Sequence, residues 1–197
     1  MKILLPFLFL LSVTFSASAS ESAHEASAIF AGGCFWCMEP PYDRLPGVKS
    51  TISGYSGGQK KNPHYREVSS GSTGHYEVLQ VTYDPNQVSY QQLLEVFWRN
   101  IDPLDGTGQF CDKGQQYQSA IFYGDEKERL AAQQSIAEIT EKLGKPIATK
   151  LLPAAEFYPA EDYHQDYYLK NPRRYKFYRW NCGRDQRLEE VWGSSDH

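Results

Sequence analysis

The chain has no surplus of positive charge. Its 20 lysines and arginines face 24 acidic residues, a formal charge of −4, so no broad basic field exists to draw in nucleic acid or anionic lipid. Beyond the first residues it has no apolar run long enough to cross a membrane. Internal repeats are missing, and so is any linker that would divide two domains; 197 residues is an ordinary length for one. Cysteine is sparse, with only Cys34, Cys37, Cys111 and Cys182. A domain of this size builds its core without staples, and a zinc ribbon would usually show two Cys-x-x-Cys pairs where this chain has one. The pair at Cys34 and Cys37 has a redox or metal spacing more than a bracing one.

The first 19 residues read as an export signal. Lys2 gives a positive start, Ile3 to Phe15 is largely apolar but short for a membrane span, and Ala17-Ser18-Ala19 is a small-residue cleavage site. The mature chain is expected to begin near Ser20, exported to a periplasmic or secreted setting and free of the membrane after cleavage. Disulfides are permitted there. Four thiols allow three pairings, and spacing does not choose among them.

Ala28 to Gly32 reads as a strand that Gly32-Gly33 turns into a helix starting near Cys34, with Pro40 and Pro41 expected to kink or shorten it. Val48 to Tyr55 and Tyr76 to Tyr83 are strands, separated by a long polar loop, Ser56 to Gly74. Ser89 and Gln92 form a capping box for a helix that places Tyr90, Leu94, Phe97 and Ile101 on one face. A loop from Asp102 to Gly114 leads to a strand, Tyr117 to Tyr123. Asp125 and Glu128 open a charged helix that stops near Gly144, and a strand over Ile147 to Leu152 follows. From Pro153 onward the expectation is a tail with a helix around Glu161 to Leu169 and irregular chain elsewhere. The order strand, helix, strand, strand, helix, strand predicts an α/β (α+β) domain over residues 20–197. Its expected form is a two-layer split βαβ, ferredoxin-like sandwich with a long, partly irregular C-terminal tail.

Gly32-Gly33-Cys34-Phe35-Trp36-Cys37 carries the strongest chemical signal. A thiol at a helix N-terminus meets unpaired N–H groups and the positive end of the helix dipole, which lower its pKa and favour the nucleophilic thiolate. The bland alternative is a pair of buried small hydrophobes. Glu77 shares a strand face with Leu79, Val81 and Tyr83. If that face is buried, the carboxyl loses hydration, its pKa rises, and it can serve as a general acid; near the strand end it can equally reach solvent. Tyr65, Asp112 and Tyr117 lie in the two polar loops, but with 14 tyrosines in the chain periodicity does not single these out.

Several stretches resemble the A-type peptide methionine sulfoxide reductases. They are Gly-Cys-Phe-Trp-Cys at 33–37, Gly54-Tyr55-Ser56-Gly57-Gly58, Thr73-Gly74-His75-Tyr76-Glu77, Tyr83-Asp84-Pro85, Gln116-Tyr117-Gln118-Ser119-Ala120-Ile121, and Phe157 to Tyr167 with its Asp162-Tyr163-His164-Gln165-Asp166. The resemblance runs from about Ala28 to Asn171, and nothing resembles the unrelated B-type enzyme. It implies that Cys34 attacks the sulfur of a methionine S-sulfoxide, free or in an oxidised protein or peptide. It implies that Glu77 protonates the oxygen, that Tyr65 and Tyr117 hydrogen-bond it, that Phe35 and Trp36 cradle the methyl group, and that Asp112 orders the site. No metal or prosthetic cofactor is implied. Protein repair by a monomer, with an external thioredoxin-like dithiol as reductant, follows from the same likeness.

The sulfenic acid left on Cys34 needs a second thiol. Family members commonly resolve with a C-terminal cysteine, although this tail departs from theirs. Arg179, Gly183 and Arg184 flank Cys182 and favour a mobile thiolate, so a Cys34–Cys182 disulfide is the expectation. Cys37 is the first alternative, handicapped by an apolar setting that would raise its pKa, and Cys111 is the second. Two other classes compete with the reductase: a thioredoxin-like thiol–disulfide oxidoreductase using Cys34 and Cys37, and a zinc module built on four thiolates.

Overall fold

The computed structural model describes residues 25–193. The expected export signal lies outside the described residues. In chain order the elements are β1 (Ala26–Gly32), α1 (Phe35–Asp43), β2 (Val48–Ser56), α2 (Tyr65–Ser69), β3 (Tyr76–Tyr83), α3 (Tyr90–Arg99), β4 (Gly108–Gln109), β5 (Asp112–Lys113), β6 (Ser119–Tyr123), α4 (Glu126–Leu143), β7 (Lys150–Pro153), β8 (Tyr158–Pro159), α5 (Tyr167–Lys170), α6 (Pro172–Asn181) and α7 (Arg184–Trp192).

One sheet runs β7-β6-β1-β3-β2-β8. Its centre, β6-β1-β3-β2, is antiparallel throughout, the arrangement that a split βαβ order dictates. β7 adds to β6 in parallel at one edge, and β8 pairs antiparallel with β2 at the other. Alternate residues point to opposite faces. Phe30, Leu79, Val81 and Tyr83 meet Tyr42 of α1 and Leu94, Phe97 and Ile101 of the α3 region in the main core. Ala31, Tyr76, Val78, Ala120 and Phe122 form a second cluster on the other face, against Leu152 and Phe157.

The local signals at the helix ends hold. The Ser89 hydroxyl accepts from the Gln92 N–H at 3.2 Å and the Gln92 side chain accepts from the Ser89 N–H at 2.9 Å, satisfying two donors that the first turn of α3 leaves free. Asp125 caps α4 by accepting from the Glu128 N–H at 2.8 Å, and Gly144, with φ of 61°, ends it in the left-handed region. α1 is short, with Pro40 and Pro41 inside its last turns.

Four expectations need correction. The loop expected over 56–74 contains α2, and the one over 102–114 folds back as the β4–β5 hairpin. The strand expected from Tyr117 starts at Ser119, because Gln115–Tyr117 forms a single 3-10 turn. The helix expected around Glu161 to Leu169 shrinks to α5 at Tyr167–Lys170, while the rest of the tail is more regular than expected, with α6 and α7 covering most of 172–192. These helices lack a continuous apolar stripe, so hydrophobic periodicity does not reveal them. Particular contacts hold them instead. Trp192 Nε1 donates to the Ile101 carbonyl at 3.0 Å, Arg187 Nε to Asp102 Oδ2 at 2.7 Å, and a disulfide joins Cys182 to Cys111.

Candidate active site

β1 delivers Cys34 to the start of α1. Gly33 makes the turn with φ of 80°, and a Cβ there would lie 2.6 Å from Gln109 Cβ, so both the backbone angle and the close approach require glycine. Cys34 is the N-cap of α1 and is 6% exposed. Phe30 pairs with Leu79 across β1 and β3; continuing that register sets Glu77 beside the end of β1, under the helix start. Glu77 is 2% exposed. Its Oε2 accepts the Phe35 backbone N–H at 3.2 Å. Burial, not escape to solvent, is thus the outcome for this side chain.

Cys34, Phe35, Trp36, Tyr65, Glu77, Asp112, Tyr117 and Tyr178 line one small cavity of about 60 Å³. The strand-to-helix turn, β3, α2, the β4–β5 hairpin and the 3-10 turn each contribute a wall, so the sequence-named candidates from five segments converge. A larger groove of about 530 Å³, lined by Trp98, Glu138 and Trp192 among others, lies between α3 and α4 and contains no cysteine.

Electrostatics assign protons within this cavity. Burial pushes the Glu77 carboxyl up to about 8, against the opposing hydrogen bond from Phe35, with the Asp112 and Cys37 charges adding to the rise. It is therefore an acid at neutral pH. Burial pushes the Tyr65 hydroxyl up to about 12 and that of Tyr117 higher still, with the Glu77 charge as the next cause. Both stay protonated and able to donate. The Asp112 carboxyl is also raised by burial, opposed by the hydrogen bond that the Tyr178 hydroxyl donates to it.

The two cysteines of the motif reverse the charges expected for them. Burial, joined by the hydrogen bond to Cys37 and by the neighbouring negative charges of Cys37, Glu77 and Asp112, pushes the Cys34 thiol up. The helix start does not overcome this, since the N–H of Phe35 is directed at Glu77. Cys37 is equally buried, yet its thiol is pulled down by the hydrogen bond from Cys34, and Arg184 and Arg179 add to the pull against burial. Within the pair, Cys37 is the thiol drawn toward the anion and Cys34 the one held toward the neutral form. An apolar setting alone would have raised Cys37; arginines from the tail change the sign.

An aromatic layer packs behind the cavity. Trp36 Nε1 donates to His164 Nδ1 at 3.0 Å, so the His164 ring carries its proton on Nε2. Burial lowers His164 to about 4, keeping it neutral. Its ring centroid lies 5.0 Å from that of Phe35 and 4.4 Å from that of Tyr65. Tyr167 stacks on Trp36 at 3.7 Å. Tyr178 stands edge-on to Trp36 and was not legible as a site residue, because it lies in α6, beyond the part of the tail with a recognisable pattern. His164 lies within the Phe157 to Tyr167 stretch, but periodicity assigns it no task.

The expected Cys34–Cys182 disulfide is not the one present. Cys182 is bonded to Cys111, with Cα atoms 4.8 Å apart, while Cys34 and Cys37 are free and buried. The α6–α7 junction carries Cys182 to the β4–β5 hairpin instead of into the cavity. Cys111, Asp112 and Cys182 bring donor atoms within 4.8 Å of one another, but two of these three are committed to the S–S bond. Four thiolates in one tetrahedral set are not formed.

A free thiol facing a protonated carboxyl and two hydroxyl donors in one small cavity is the site of a thiol-dependent oxidoreductase that works on an oxygen-bearing centre. A family model described as peptide methionine sulfoxide reductase matches residues 26–196. The chain is 52% identical over 178 residues to a Vibrio cholerae peptide methionine sulfoxide reductase MsrA/MsrB, covering 89% of this chain and 47% of that longer protein. It is 50% identical over 168 residues to a Bacillus licheniformis peptide methionine sulfoxide reductase MsrA, covering 84% of this chain and 93% of the relative. The fold is similar to that of Mxr1 from Saccharomyces cerevisiae in reduced form, with a TM-score of 0.73, 33% identity and coverage of 78% of this chain and 89% of that one. Mxr1 in complex with Trx2 is also similar, with a TM-score of 0.52, 26% identity and coverage of 75% and 87%. The chain belongs to the peptide methionine sulfoxide reductase family, A type. It is an oxidoreductase that returns methionine sulfoxide to methionine by cysteine chemistry.

Proposed function

We propose that Cys34 is the nucleophile, Glu77 the acid and Cys37 the resolving thiol of this reduction. The observation that carries this reading is the convergence of Cys34, Glu77, Tyr65 and Tyr117 on one cavity. Tyr65 and Tyr117 donate to the sulfoxide oxygen, Glu77 supplies its proton, and Phe35 and Trp36 enclose the methyl group. Polarising the S–O bond makes the sulfur electrophilic. As Cys34 attacks, its proton passes to the Cys37 anion with which it is already hydrogen-bonded. The sulfoxide oxygen, with the Glu77 proton, ends on Cys34 as a sulfenic acid, and methionine leaves. Cys37 gives that proton up again and, as the thiolate, displaces the hydroxyl: a Cys34–Cys37 bond forms, the S–O bond breaks, and the oxygen takes the proton and leaves as water. Two thiols are oxidised for each sulfoxide reduced. Asp112 and Tyr178 fix each other at the rim through their hydrogen bond.

An external dithiol returns the disulfide to thiols, so the cycle needs no prosthetic group. The complex of the related Mxr1 with Trx2 supports a thioredoxin-like donor. Substrates are oxidised proteins, peptides and free methionine sulfoxide, handled by a monomer. Export is part of the same reading. Lys2, the apolar stretch to Phe15 and Ala17-Ser18-Ala19 support it, and the Cys111–Cys182 disulfide is of the kind that persists in an oxidising compartment. The test is turnover of both sulfoxide epimers with a dithiol, followed by mass mapping of the oxidised cysteines. Turnover of the S epimer with a Cys34–Cys37 disulfide supports the assignment; turnover with Cys34 unmodified refutes it.

A further inference from the structure

Arg184, the first residue of α7, is 2% exposed, yet no carboxylate pairs with it among the described residues. Its Nη2 donates to the Asn100 carbonyl at 2.6 Å and the Gly32 carbonyl at 3.3 Å, and lies 3.5 Å from Met38 Sδ. Its guanidinium sits 4.3 Å from the centre of the Phe110 ring, and its buried Nε has no partner. A buried cation held by carbonyls and a ring alone is costly, because taking the charge out of water loses more than neutral dipoles return. An anion nearby would offset that cost.

The contacts of Arg184 place it beside the turn that carries Cys34 and Cys37. Gly32 lies two residues before Cys34, and Met38 directly follows Cys37, so the guanidinium is set against the start of α1. The charged and titratable groups around Cys37 are Cys34 of the same turn, Glu77 of β3, Asp112 of β5, Tyr175, Tyr178 and Arg179 of α6, and Arg184 itself. Only the two arginines are cationic, and Arg179 is already engaged with Asp185, to which its Nε donates at 2.8 Å. Arg184 has no such ion pair among the described residues; besides Cys37, its charge pulls the Asp112 carboxyl down.

We propose that Arg184 is a positioning residue for the recycling half of the reaction, its buried guanidinium holding Cys37 as the anion that opens the Cys34 sulfenic acid. The inference rests on Cys37 being the resolving thiol. It explains how a thiol buried inside a helix, where an apolar setting would make it inert, is kept nucleophilic by a residue from the far end of the chain.

The test begins in the Cys34→Ser chain, where Cys37 is the sole free thiol while Cys111 and Cys182 stay joined. Titration by thiolate absorbance is expected to place its midpoint well below the ordinary thiol value of about 8.5. A midpoint at or above that value overturns the proposal with no arginine variant needed. Arg184→Gln is expected to raise the midpoint, and Arg184→Lys to restore most of it. With Cys34 present, rapid quenching after one equivalent of sulfoxide separates methionine release from disulfide formation. Arg184→Gln is expected to slow the disulfide step at least tenfold more than the methionine step at pH 7, with the gap closing as pH rises. Equal slowing of both steps, a gap independent of pH, or a lysine variant as impaired as the glutamine one overturns it. The underlying reading fails differently: Cys37→Ser would then recycle normally.

Discussion

The backbone N–H of Phe35 donates to Glu77 Oε2 at 3.2 Å, and this bond ties the helix of Cys34 to the strand of Glu77, the proposed nucleophile and acid. It places a hydrogen-bonded carboxyl beneath the sulfur and leaves burial to decide its proton. Burial wins, holding the carboxyl up to about 8. With Glu77 as the proposed acid, the rate of the first methionine formed is expected to fall as pH rises through about 8. Glu77→Gln keeps the size but has no proton to give. It is expected to slow that step by roughly 10²-fold and to remove this limb of the profile. A native rate in single turnover contradicts the role.

His164 makes the opposite pH prediction, this time for stability. Its folded value is lowered from 6.5 to about 4 by burial. The unfolded chain therefore binds the proton first as pH falls. The contribution of His164 is whole above pH 6.5 and is lost as pH drops toward about 4. His164→Asn can still accept from Trp36 Nε1 and cannot titrate. Melting curves from pH 7 to 4.5 are expected to fall more steeply for the native chain than for the variant. Parallel curves contradict the assignment.

Cysteine variants divide bracing from recycling. The Cys111–Cys182 bridge closes a loop of sequence separation 71. Replacing both with serine is expected to lower unfolding free energy by about 4 kcal/mol, while the Cys34–Cys37 disulfide still forms after substrate. Cys37→Ser is expected to release one methionine per chain and then stall with a persistent sulfenic acid. Denaturant melts and thiol counting read both results. Continued turnover of Cys37→Ser with a thioredoxin-type donor, lost on removing Cys182, returns the resolving role to the tail.

Much of the fold was legible because its centre obeys simple periods. Strands of period two, the Ser89–Gln92 box and the Asp125 and Gly144 boundaries of α4 gave the split βαβ order. The face of Glu77 followed from alternation, but its burial depended on α1 lying across it. The tail escaped because α6 and α7 dock through Arg184, Arg187, Trp192 and Cys182 singly, with no apolar stripe to betray them. The sign of the Cys37 shift escaped for the same reason: its cause is a cation placed by tertiary structure. The family resemblance, not periodicity, singled out Tyr65 and Tyr117 among many tyrosines.

Export predicts a mature N-terminus near Ser20. Sequencing the N-terminus of protein recovered from the native host reads this directly, and a chain in the cytoplasmic fraction that retains Met1 contradicts it.

The central claim is that Cys34 takes the oxygen of the sulfoxide. Its most direct test is to mix reduced Cys37→Ser chain with one equivalent of methionine S-sulfoxide peptide, trap sulfenic acid with a dimedone-type reagent, and map the adduct by mass. The account predicts one methionine per chain and the adduct on Cys34, with neither in Cys34→Ser. Methionine formed by Cys34→Ser, or an adduct on any other cysteine, would contradict it.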